Sequence, residues 1–122
     1  METTDTLAPL ISLAAQGAGT VNSPIQCNPW GRGVTVGINT TVDAAGSYVV
    51  NLQGLDTASN TFYTLASSAA IVATGFAALT LYPAVTTAAN VAVSAPLPRS
   101  WRVQAVVTTG PITATVGASV ML

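Results

Sequence analysis

At 122 residues the chain is the length of one domain, and only 6% of those residues are charged, against about a quarter in an ordinary soluble protein. Three arginines, four acids, no lysine and no histidine give a formal net charge of −1, which excludes a basic face for nucleic acid and leaves a carboxylate pair as the one usual acid–base candidate. The single cysteine excludes an intrachain disulfide and a thiolate zinc site.

Residues 7–15 are apolar and are followed by small residues, but Glu2 and Asp5 stand where a secretory leader needs basic side chains. Synthesis and assembly in a cytoplasm is therefore the expectation. Pro9, Gly17, Gly19, Pro24 and Pro29 interrupt regular structure over residues 1–30, while Leu7, Leu10, Ile11, Leu13, Val21, Ile25 and Trp30 make the stretch too apolar for a frayed tail. It reads as an extended N-terminal arm with short strand pieces at 10–13 and 20–22, its apolar side chains forming an interface with another surface. Removal of residues 1–19 is expected to leave the remaining domain, residues 31–122, folded.

From Gly33 onward, short β-branched runs alternate with turn residues. Val34, Val36 and Ile38 alternate with Thr35, Gly37 and Asn39, so one face of that strand is apolar. The turn residues Asp43, Ala44, Ala45 and Gly46 lead to residues 47–55, with Tyr48, Val50 and Leu52 on one face, and the two runs read as a hairpin. A second turn over residues 56–60 precedes a strand at 61–66. Residues 69–73 and 76–82 flank Thr74 and Gly75 and read as another tight hairpin. Residues 84–98, without a clear period, read as a loop crossing between sheets.

Trp101, Val103, Ala105 and Val107 then alternate with Arg102, Gln104 and Val106; Thr109, Gly110 and Pro111 turn the chain, and Ile112, Ala114, Val116, Ala118 and Val120 share one face of a last strand. So apolar a strand needs a neighbour, within the sheet or in a subunit interface. Residues 65–82 are uncharged and approach membrane-spanning length, but Ser67, Ser68, Thr74, Gly75 and Thr80 dilute them and no basic residue flanks them. No membrane association is expected. The pattern predicts an all-β protein, an antiparallel β-sandwich (Ig-like or jelly-roll-like) of about six to eight strands.

Asp43 and Asp56 both fall in turns, where a carboxylate bonds the backbone, so a catalytic carboxylate pair is not expected. Cys27 has no histidine to activate it and reads as a small buried or half-buried thiol. The glycines follow no phosphate-loop spacing. No enzyme activity, cofactor or metal is expected. Trp30, Tyr48, Tyr63, Tyr82 and Trp101 could stack on sugar rings, but Tyr48 and Trp101 read more simply as core and Trp30 as an anchor of the arm. Arg32, Arg99 and Arg102 are scarce enough to be polar anchors, bonded to turn or neighbouring-subunit carboxylates and carbonyls, with Asp43 and Asp56 as the in-chain candidates.

Three segments carry a family resemblance: residues 28–34 (Asn-Pro-Trp-Gly-Arg-Gly-Val), residues 52–56 (Leu-Gln-Gly-Leu-Asp) with 62–65 (Phe-Tyr-Thr-Leu), and residues 81–83 (Leu-Tyr-Pro) with 97–103 (Leu-Pro-Arg-Ser-Trp-Arg-Val). Together they resemble the small minor capsid or head decoration proteins of tailed bacteriophages, from about residue 20 to the C-terminus. The stretch before Thr20 matches nothing in that family. The resemblance implies a β-sandwich on the outside of an icosahedral virion shell, often a homotrimer, with the major capsid protein and its own copies as partners. The charge-poor composition independently favours a structural protein that packs against other proteins. A tail or head-fibre module and a carbohydrate-binding host-recognition module are the alternatives.

Overall fold

The computed structural model describes residues 10–28, 31–43 and 45–121, and these form ten strands and no helix. In chain order they are β1 (Ile11–Gln16), β2 (Gly19–Asn22), β3 (Gln26–Cys27), β4 (Gly33–Asp43), β5 (Ser47–Asp56), β6 (Thr61–Ser67), β7 (Gly75–Leu81), β8 (Ala92–Val93), β9 (Ser100–Thr109) and β10 (Ile112–Met121). A first sheet has the order β1-β10-β4-β7-β8, and a second has β2-β9-β5-β6, with β3 also pairing β9. Every ladder is antiparallel except β7 with β8. The protein is a β-sandwich, and the strand count exceeds the expected six to eight because β3 and β8 are two-residue strands and because the first thirty residues contribute strands of their own.

Side-chain alternation builds the core. Val34, Val36 and Ile38 of β4, Leu79 and Leu81 of β7, and Ile112, Ala114 and Val116 of β10 point inward from the first sheet. Tyr48, Val50 and Leu52 of β5 and Trp101, Val103, Ala105 and Val107 of β9 meet them from the second. The last strand finds its neighbours inside the chain, with β1 on one side and β4 on the other.

Two expected hairpins are instead crossings between sheets. β4 pairs with β10 and β7, while β5 pairs with β9 and β6, so the turn after Asp43 carries the chain from one sheet to the other. In a hairpin the apolar faces of β4 and β5 would lie side by side and both need a cover; in a crossing each face covers the other. The expected strand at 69–73 is likewise absent. Ile71 makes one isolated bridge to Tyr48 as the chain passes from β6 to β7. The expected turn over residues 56–60 closes a hairpin between β5 and β6, with Asp56 opposite Thr61. Residues 84–98 do cross between sheets, laying down β8 beside β7 on the way.

The extended arm is also corrected over residues 10–28. β1 extends the first sheet along β10, and β2 and β3 lie in sequence along β9 of the second. Ile11 and Leu13 are 3% and 2% exposed, within the subunit's own core. At Ile11 and Leu13, and in part at Leu10 and Val21, the apolarity that suggested a foreign surface is consumed by the chain's own sheets. Leu7 and Trp30 lie outside the described residues. Residues 65–82 fold as the end of β6, a connection and β7, and no helix among the described residues is long and apolar enough to cross a membrane.

Candidate functional site

The outer face of the second sheet carries a ladder of side-chain amides. Register aligns Asn22, Gln104, Asn51 and Ser67 in one row across β2, β9, β5 and β6. Gln104 Nε2 donates to Asn22 Oδ1 (3.0 Å), Asn51 Nδ2 donates to Gln104 Oε1 (3.2 Å), and Ser67 Oγ donates to Asn51 Oδ1 (2.7 Å). The next row holds Arg102, Gln53 and Thr64. Gln53 Nε2 reaches Gln104 Oε1 at 3.4 Å and Thr64 Oγ1 at 3.5 Å, which joins the two rows.

Arg102 is the cation of this face. Its Nε donates to Gln53 Oε1 at 2.9 Å, and its guanidinium lies 3.6 Å from the centroid of the Phe62 ring. Phe62 is on β6 and Arg102 on β9, with β5 between them, so the side chain spans three strands and covers Gln53 beneath it. Trp101, next in sequence, points the other way into the core, as strand alternation requires.

The outer face of the first sheet is of a different kind. Its strands carry a single charged residue, Asp43, at the end of β4. Phe76 is 72% exposed, and its ring lies close over Gly37, where a Cβ would stand 3.1 Å from it. Val42 is 52% exposed. A bulge in the β4 ladder, between the partners of Thr113 and Ala114, turns Val42 outward after the inward run ending at Thr40. At the far end of β7 an apolar groove of 370 Å³ is lined by Thr80, Tyr82, Pro83, Ala84, Val85 and Met121.

The expected polar anchors do not pair with one another. Asp43 Oδ1 accepts from Gly46 N (2.6 Å), and Asp56 accepts from Ala58 N (3.2 Å) and Ser59 Oγ (2.7 Å). Each carboxylate closes its own turn, which is the cheaper use of an acid beside free backbone N–H groups. The two stand at opposite ends of the ten-residue β5, a span of roughly 30 Å, so they form no carboxylate pair. Arg32 and Arg99 are exposed, and no ion pair joins any of the three arginines to Asp43 or Asp56.

Of the expected interface residues, Ile11 and Leu13 are core, Leu10 and Val21 pack against the core, and Ile25 is 55% exposed. Cys27 is exposed, not buried, because the two-residue β3 lies at the sheet edge and turns it outward opposite Ser100. Tyr48 and Trp101 are core residues as expected. Asn22, Asn51, Gln53, Phe62 and Gln104 were missed as members of a shared surface. Their alternation within each strand was visible, but the register that aligns them across strands was not.

Comparison with known protein families, curated proteins and solved structures gives no match.

Proposed function

We propose that the chain is a virion structural protein, a capsid decoration or minor capsid protein that binds the outer surface of the shell and stabilises it through protein–protein contacts. Its partners are the major capsid protein and further copies of itself, as a trimer. The observation that carries this reading is the first sheet's outer face: five strands with one charged residue, and Phe76 laid flat and largely exposed upon it. A free protein gains solubility from mixed surface charge; a face without it gains by being covered. Apolar burial against a capsomer junction then adds to shell stability by mass action, because the protein binds the assembled state alone.

The test is cosedimentation with empty shells assembled from the major capsid protein of the same genome, with shell melting measured in parallel. Saturable binding that raises the shell's melting temperature, and that weakens for Phe76→Ser, is the expected result. A monomer that binds no shell would end this reading. The amide ladder on the second sheet favours carbohydrate-binding host recognition as the second reading, and a glycan array separates the two.

A further inference from the structure

We propose that Arg102 is a preformed receptor for a single carboxylate on the outer face of the second sheet, taking an aspartate or glutamate side chain of a partner protein. The source of the carboxylate rests on the shell-binding reading above; the receptor itself does not.

The guanidinium is held on two sides. Gln53 accepts from Nε, and the Phe62 ring lies beneath the plane of the group. A free arginine side chain gives up rotamer freedom when a ligand orders it, and here much of that freedom is lost on folding, before any ligand arrives. With Nε occupied, the edge formed by the two terminal nitrogens remains, and that edge fits the two oxygens of a carboxylate.

Nothing in the described chain takes that edge. No hydrogen bond is made by either terminal nitrogen, and Asp43 and Asp56 serve their own turns. Nor is the edge sealed. The partnerless buried side-chain atoms among the described residues are Asp43 Oδ2 and Trp101 Nε1, so the terminal nitrogens of Arg102 remain in contact with water.

The surroundings define the ligand class. Asn22, Asn51, Thr64, Ser67 and Gln104 are neutral, so the face offers one positive charge among amides and hydroxyls. That suits one carboxylate with polar neighbours and does not suit a phosphate backbone, which needs several cations. Arg32 and Arg99 are exposed and lack both the amide brace and the ring, which makes them internal controls.

The test uses the whole protein and arginine Nε–H NMR signals, of which three arginines give three. The probes are N-acetyl-glutamate N-methylamide, its glutamine counterpart, and N-acetylneuraminic acid. A saturable shift confined to Arg102 with the glutamate compound, absent with the glutamine compound, is the expected result. Gln53→Ala should weaken it roughly tenfold, with the Arg32 and Arg99 signals in place as evidence of folding.

Equal drift of all three signals would overturn the proposal. So would saturation by the acidic sugar at concentrations where the glutamate compound does nothing, which would assign the receptor to a glycan. An Arg102 shift without shell binding keeps the receptor and removes the shell reading. Shell binding without an Arg102 shift does the reverse.

Discussion

The hydroxyls of Thr40 and Tyr48 bond to each other in the buried interior and tie β4 of the first sheet to β5 of the second. Tyr48 is fully buried and Thr40 is 3% exposed, so neither hydroxyl has water to fall back on. Tyr48→Phe leaves the Thr40 hydroxyl without this partner and is expected to cost about 1–2 kcal/mol in denaturant unfolding at neutral pH.

The same site gives an alkaline dependence. Burial, as the largest cause, raises the Tyr48 phenol above the ordinary tyrosine value; the bond to Thr40 lowers it and the Asp43 charge raises it. Below the unfolded tyrosine value of about 10 both states hold the proton and the group adds no pH slope. Above it the unfolded chain loses the proton first, so stability falls as pH rises toward the folded value, by at most about 1.4 kcal/mol per pH unit. Denaturant midpoints from pH 8 to 11 should show this fall in the native protein and a flatter profile in Tyr48→Phe.

Two buried serines complete the ladders of the second sheet. Ser23 Oγ accepts from Val103 N (2.9 Å) in the gap between β2 and β3, and Ser68 Oγ accepts from Val50 N (3.0 Å) just past the end of β6. Ser23→Ala and Ser68→Ala each leave a buried N–H without its side-chain acceptor and should cost about 1–3 kcal/mol. Hydrogen exchange locates the effect: Val103 should lose protection in the first variant and Val50 in the second.

Gly33 and Gly37 lie on the same strand and differ in what surrounds them. A Cβ on Gly33 would come 2.1 Å from the Leu81 carbonyl oxygen, which is backbone and cannot yield, whereas one on Gly37 would meet only the exposed Phe76 ring, at 3.1 Å. Gly33→Ala should therefore destabilise by about 3 kcal/mol, and Gly37→Ala by less than about 0.5 kcal/mol. Similar thermal midpoints for the two variants would contradict these contacts.

Placing β1 within the first sheet reverses the expectation that residues 1–19 can be removed without loss. Ile11→Ala with Leu13→Ala empties two core positions and should cost about 5 kcal/mol or more, comparable with the whole stability of a small domain. Deletion of residues 1–19 should accordingly reduce the β signal in circular dichroism or lower the melting temperature sharply. A truncated protein as stable as the full chain would show that β1 adds nothing to the fold.

Much of the sandwich was legible because strand facing is local. Tyr48, Val50 and Leu52 alternate with Val49, Asn51 and Gln53, and Trp101, Val103, Ala105 and Val107 with Arg102, Gln104 and Val106, and period two assigns each set to one side of its strand. Pairing is another matter. The turn after Asp43 has the same composition whether it closes a hairpin or crosses between sheets, and what separates the two is how the faces of β4 and β5 are covered.

The sequence by itself determined the strand character of the chain, the inward residues and the scarcity of charge. Tertiary structure alone decided that Ile11 and Leu13 are core, that Cys27 is exposed, and that Asn22, Gln104, Asn51 and Ser67 stand in one row with Arg102 stacked on Phe62 beside them. The physical reason is register. Asn22 and Gln104 are 82 residues apart, and a shift of one residue in the pairing of β9 would turn its outward face inward.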